Sequence, residues 1–253
     1  MLIMLEELLG SVQKEHSYVM LAPIDEGSEV FGQYALLCTQ ELVRRGYNVT
    51  LRSFYLEDIL KRGDGAEIFA DMLAAENKLR ERTSSMSAER RLFVIGEPLC
   101  VCKPYIFKRN LAAAGNSVLA VMPLSEYLLF HMCEIDRKHE YQRELAAWQR
   151  MHDAAMNTSG GTALYTPVDA LFEAAKGRLD FCIGNGGKYR LAKLLTLSPE
   201  VTDAAVLLNS SEENTAIILK QLTEDLRSEI PVPFVRIDLD YEHRAGKEDF
   251  ELI

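Results

Sequence analysis

The sequence predicts an α/β fold with parallel sheets flanked by helices, and three observations carry that expectation. Short β-branched or apolar runs alternate with longer helical patterns, as in βα units and unlike a sandwich or a bundle. The 253 residues are 48% hydrophobic and 26% charged, a globular balance that allows one large domain or two small ones. Glycines stand where helices must stop before a following strand, as at Gly46 and Gly115.

Taken in order, Met1 to Leu9 is apolar but interrupted by Glu6 and Glu7, with no basic leader and no small-residue cleavage site. It reads as an amphipathic helix rather than a signal peptide. Strands are expected at Tyr18 to Ala22, Asn48 to Arg52, Leu92 to Gly96, Ser117 to Val121, Asp203 to Leu208 and Pro233 to Ile237. Phe31 to Arg45 has a helical spacing of Leu36, Leu37, Leu42 and Val43 and stops at Gly46. Tyr105 to Ala114 is closed in the same way by Gly115, and Glu212 to Arg227 carries a stripe of Ile217, Ile218, Leu222 and Leu226. Gly63 to Arg90 reads as a charged helical stretch with a break at Ser84 to Ser87, and it places a lobe boundary, giving an N-terminal α/β lobe 1–90 and a C-terminal α/β lobe 91–253. Asp136 to Met156 reads as a long polar helix with the only tryptophan, Trp148, packing between or across the lobes and ending at Thr158-Ser159-Gly160-Gly161.

Charge narrows the partners. With 28 basic and 38 acidic side chains the net charge is −10, which works against binding a phosphate backbone, so no nucleic-acid partner is expected. The longest apolar runs, Val118 to Leu124 and Val19 to Ile24, fall far short of the roughly 20 residues that span a bilayer, so no membrane association is expected. The five cysteines are odd in number and form no CxxC pair, which fits reduced thiols in a cytoplasmic protein.

Ligands of open parallel sheets sit beyond the carboxyl ends of the strands, which directs attention to Pro23 to Tyr34, Glu97 to Tyr105, Met122 to Tyr127 and Asn209 to Asn214. Asp25, Glu26 and Glu29 in the first loop have the oxygen chemistry to hold a divalent cation, but acids in a first helical turn also complement the helix dipole. Cys100 and Cys102 would point the same way on an extended chain, yet a metal needs further ligands, and buried thiols are the simpler reading. Gly186, Gly187 and Lys188, with Arg190 close by, are candidates to cradle a phosphate, although the spacing matches neither GxGxxG nor the P-loop, and a glycine-rich turn before a helix accounts for them as well. The five histidines form no HExxH, and no GxSxG elbow is present.

Several of these segments together resemble the 2-hydroxyacyl-CoA dehydratase and benzoyl-CoA reductase family, most of all its activator-associated members, the CoA-substrate-specific enzyme activases. Gly96-Glu97-Pro98, the helix ending at Gly115, Val118 to Val121 and Pro123-Leu124-Ser125-Glu126-Tyr127 are similar to the family's "GEP/GEI … PLSEW" stretch. Gly27-Ser28-Glu29-Val30-Phe31-Gly32-Gln33-Tyr34 resembles its "GPCRFGQY" loop, and Gly186-Gly187-Lys188 with Leu191 its "GGE-x-x-L". Val206 to Asn214, followed by Ile230-Pro231-Val232-Pro233, falls where the family carries "FGCMP … IPVLTL".

The resemblance implies two lobes facing one another across a cleft, in which cysteines of the first and last of these loops hold a [4Fe-4S] cluster for electron transfer to an acyl-CoA. At those positions this chain has Glu29 and, nearest the second, Ser210 or Ser211. A carboxylate and a hydroxyl are poor replacements for thiolates on such a cluster, so the resemblance implies a cluster-free relative without autonomous dehydratase or reductase activity. The expected role is binding or accessory, toward an acyl-CoA or a cluster-bearing dehydratase or activator partner, through a cleft lined by Ser28, Glu29, Phe31, Gln33, Tyr34, Glu97, Glu126, Asn209, Ser210 and Ser211. Asp25, Glu26, Glu29, Glu212 and Glu213 would repel CoA phosphates there unless Lys103, Lys108, Arg109 or Lys188 offset them. The alternative expectation is a metal-dependent enzyme, with an iron–sulfur centre relocated to Cys100 and Cys102 or a divalent cation on the acidic loops.

Overall fold

A computed structural model describes residues 12–24, 31–61, 65–84, 91–96, 117–136, 139–158, 165–178, 185–210 and 214–239. The chain divides into two compact units, Met1–Gly65 and Ala66–Ile253. The division falls at 65/66, near the start of the charged stretch, whereas the sequence expectation put the lobes at 1–90 and 91–253. The helices expected over 1–9 and 105–114 lie outside the described residues.

In the first unit, β1 (Ser17–Ile24) pairs in parallel with β2 (Asn48–Tyr55), from Ser17 opposite Asn48 to Ile24 opposite Tyr55. The crossover is helix α1 (Phe31–Arg44). It stops because Gly46 takes φ +85, a conformation open to glycine, while the Gly46 and Tyr47 amides bond back to the carbonyls of Val43 and Leu42 at 2.9 and 3.0 Å. The packed stripe is narrower than the sequence suggests. Cys38 and Leu42, one helical turn apart, close on Val49, with Val12, Tyr18 and Tyr47 packed beside them. Leu36, Leu37 and Val43, expected to belong to that stripe, are exposed by 46, 46 and 52%. The short helix α2 (Leu56–Lys61) then buries Ile59 and Leu60.

The second unit is built on a four-stranded parallel sheet with the order β4-β3-β5-β6, comprising β3 (Arg91–Gly96), β4 (Ser117–Val121), β5 (Ala204–Ser210) and β6 (Phe234–Leu239). The central strands read Leu92-Phe93-Val94-Ile95 and Ala205-Val206-Leu207-Leu208, all buried, as expected of parallel strands covered on both faces. Chain order reverses at β3, with β4 on one side and β5 on the other, so the carboxyl ends of β3 and β5 form the topological switch point.

The helices of this unit are α3 (Gly65–Ser84), α4 (Leu124–Ile135), α5 (Gln142–Thr158), α6 (Val168–Ala175), α7 (Asn185–Leu195) and α8 (Asn214–Asp225). Phe69 of α3 stacks on Trp148 of α5 with ring centroids 4.7 Å apart, so the tryptophan is a core residue of this unit. Phe130 of α4 stacks on Phe172 of α6 at 4.3 Å and meets Tyr189 of α7 edge-on at 5.7 Å.

Three expectations change here. The segment read as a loop at Met122 to Tyr127 enters α4 at Leu124. The polar helix begins at Gln142 rather than Asp136, because the Asp136 carboxylate accepts the amides of Glu140 and Tyr141, at 2.8 and 3.1 Å, and builds a turn ahead of it. In α8 the buried line is Leu219 and Thr223, and Ile217, expected to face the core, is 68% exposed. Among the described residues no helix is long and apolar enough to cross a membrane.

Candidate functional site

Two polar constellations stand out in the second unit. The first lies at the carboxyl end of β5. Asn209, the penultimate residue of that strand, and Arg190 of α7 are both buried. Arg190 donates through Nη1 to Asn209 Oδ1 and through Nε to the Gly186 carbonyl, each at 3.1 Å. A Cβ at Gly186 would stand 2.9 Å from Arg190 Nη2, so a larger residue there would push on the guanidinium. Asn209 Nδ2 donates onward to Asp238 Oδ1 at 3.4 Å, and Arg236 Nε reaches both Asp238 oxygens at 3.1 Å. The ends of β5 and β6 are thus joined through Asn209, which links the Arg190 guanidinium of α7 to the Asp238 carboxylate.

The second constellation surrounds Glu126 in the first turn of α4. Its Oε1 accepts from Tyr189 Oη at 2.7 Å and faces Lys193 Nζ at 2.8 Å, and its Oε2 accepts the Thr166 amide. Lys193 also donates to Thr166 Oγ1 at 2.9 Å and lies 5.3 Å from the Phe93 ring centroid. His152 Nε2 approaches Glu126 Oε2 to 3.4 Å, yet neither ring nitrogen of His152 has a hydrogen-bond partner among the described residues. Glu126, Lys193, Tyr189 and His152 are all fully buried. Alongside, Glu76 of α3 accepts the Ser125 amide at 2.8 Å, Ser125 Oγ at 2.5 Å and Tyr165 Oη at 3.1 Å.

Burial works to raise the Glu126 carboxyl, but Lys193 and the Thr166 amide outweigh it and leave it below the usual carboxylate range. Burial pulls the Lys193 ammonium down, and Glu126 only partly restores it. The Tyr189 hydroxyl is pushed well up by burial and by the carboxylate it faces. Glu76 goes the other way from Glu126, raised by burial that its hydrogen bonds to Ser125 and Tyr165 do not offset. Glu126 and Lys193 form an ion pair, and the Glu76 carboxyl also acts on the Lys193 ammonium.

Asn209 and Gly186 meet at Arg190, and Ser210 ends β5 beside them. Gly186 and Gly187, read as a turn, are buried in the first turn of α7 itself. Lys188 is engaged by Glu134, Nζ to Oε1 at 2.8 Å, and lies 5.7 Å from the Phe172 ring centroid. Glu126, grouped with the cleft residues by the sequence, belongs instead to the buried constellation. Phe31, Gln33 and Tyr34 begin α1 in the first unit, and Ser28, Glu29, Glu97, Cys100, Cys102 and Ser211 lie outside the described residues. Sequence reasoning missed Lys193 and His152. Both sit on helices amid ordinary polar residues, and only tertiary packing turns them inward.

At the end of β5 the Asn209 amide is engaged on both sides, by Arg190 and by Asp238. Among the described residues no group of three or more His, Cys, Asp or Glu side chains is placed to hold a metal ion. Comparisons with protein-family models, with curated proteins and with solved structures gave no match.

Proposed function

We propose that this chain is a cluster-free relative of the 2-hydroxyacyl-CoA dehydratase family that acts as a binding or accessory protein for an acyl-CoA or for a cluster-bearing partner. The observation that supports this reading is the furnishing of the β5 carboxyl end. At the switch point of a parallel sheet, where such folds take their ligands, stand Asn209, Arg190 and Ser210 in place of the sulfur ligand that the resemblance implies. The chemistry this reading assigns there is hydrogen bonding and positive charge rather than electron transfer, with Arg190 and Asn209, buried and bonded to each other, holding the strand end in place. In the same reading the two lobes face one another across a cleft. Spin labels at Glu29 and Ser210 test that arrangement, since a short distance supports it and a long one counts against it.

Binding is tested by thermal shift with acyl-CoA thioesters. A ligand at 100 times its dissociation constant adds about 2.7 kcal/mol to the stability of the folded form. The reading expects a rise in the unfolding midpoint with an acyl-CoA and a smaller one for Arg190→Lys, which keeps the charge but loses the paired donation to Asn209 and Gly186. No shift at saturating thioester removes the ligand half of the proposal.

A further inference from the structure

Asp238, which accepts from Asn209, also holds a second guanidinium, that of Arg236. The two residues stand two apart on β6 and so share a face of the strand, and Arg236 Nε reaches both Asp238 oxygens at 3.1 Å. The Arg236 stem therefore runs forward along the strand. Its guanidinium is carried to the level of Asp238, which stands opposite Asn209 one residue from the end of the β5–β6 pairing. We propose that Arg236 is an oxyanion-recognising residue at the carboxyl end of this sheet. Its two Nη groups take a phosphate, which on the proposed function is one of the acyl-CoA phosphates, while Asp238 positions it.

Three arginines are tied to β6 and its neighbour, and two of them are spent on the fold. Arg190 is buried and bonded to Asn209 and Gly186. Arg227 donates to Glu224 at 3.2 and 3.3 Å and lies 4.8 Å from the Phe234 ring centroid. Arg236 is engaged through Nε. Among the described residues neither its Nη1 nor its Nη2 has a hydrogen-bond partner, and the side chain keeps 16% of its surface open. A guanidinium offers paired, coplanar donors that match two phosphate oxygens, and a carboxylate gripping one edge fixes the plane of the other. The Glu224 carboxyl of α8 also feels Arg236, but Arg227 holds it first and lowers it, with Arg236 a smaller influence.

A charge on the edge strand β6 also discourages edge-to-edge pairing. That role alone would leave ligand binding untouched, which separates the two readings. The identity of the ligand rests on the proposed function, whereas the oxyanion chemistry rests on Arg236.

The test is titration calorimetry on the full chain with three probes: an acyl-CoA, the matching acyl-pantetheine, which keeps the thioester and amide arm without phosphates, and inorganic pyrophosphate. Arg236→Gln should bind acyl-CoA and pyrophosphate about ten- to hundredfold more weakly than the natural chain, as loss of a charge-assisted hydrogen bond predicts. It should bind acyl-pantetheine equally well. Arg236→Lys, which keeps the charge without the fork, should fall between, and should Arg236→Gln not fold it decides by the same comparison. The inference is overturned if the variant binds acyl-CoA as tightly as the natural chain, or if acyl-pantetheine is weakened by the same factor. Pyrophosphate bound through Arg236 with no binding of acyl-CoA keeps the oxyanion site and removes the proposed ligand, whereas a natural chain that binds neither overturns both.

Discussion

Lys193 and Glu126 face each other at 2.8 Å with neither side chain exposed, an arrangement in which each charge is tolerated only because of the other. Glu126→Gln should cost roughly 3–5 kcal/mol of unfolding free energy by chemical denaturation, because it strands an ammonium in the core, and adding Lys193→Met should recover much of that loss. Recovery would be absent if the two groups were independent. The same pair has a pH signature of its own. The Glu126 carboxyl is lowered on folding, so its contribution is present above the ordinary value of 4.5 and is lost as pH falls through the lower folded value. At the other constellation, Gly186→Ala drives a methyl toward the Arg190 guanidinium. It should cost about 1–3 kcal/mol, the price of overpacking a filled site, with a smaller loss in the Arg190→Ala background, where the opposing atoms are gone.

At the scale of the elements, the stacked Phe69 and Trp148 tie α3 to α5. Phe69→Ala should destabilise by about 3–5 kcal/mol and shift the emission of the only tryptophan to the red as water reaches its face. An unchanged emission maximum would mean that α3 does not cover that ring. The strands and the α1 crossover were legible in the sequence because their signals are local: β-branched runs, and a helix closed at Gly46. Their buried faces were read less well, since Leu36, Leu37 and Val43 share helical spacing with Leu42 but point away from Val49. Helix α4 was missed for a different reason. Its first-turn amide at Ser125 is capped by Glu76, 49 positions earlier in the chain, so no local capping residue announced it. The Arg190 centre was partly visible, as a basic residue near two glycines, but its use of Asn209 depends on the pairing of α7 with the end of β5 and leaves no trace in spacing.

For the molecule as a whole, a net charge of −10 opposes the approach of any polyanionic thioester. Association of an acyl-CoA should therefore quicken as ionic strength rises from about 10 mM toward 150 mM, where the screening length falls from about 30 to 8 Å. A rate that falls with salt would point to a basic entry path instead. On the proposed reading this scaffold works without an inorganic cluster, because Glu29 and Ser210 or Ser211 stand where the resemblance places thiolates. Iron and acid-labile sulfide measured on protein purified without oxygen test it most directly. Both should be far below one equivalent per chain, in the natural protein and in Cys100→Ala/Cys102→Ala alike, whereas about four irons and four sulfides per chain, lost with those two cysteines or not, would contradict the claim.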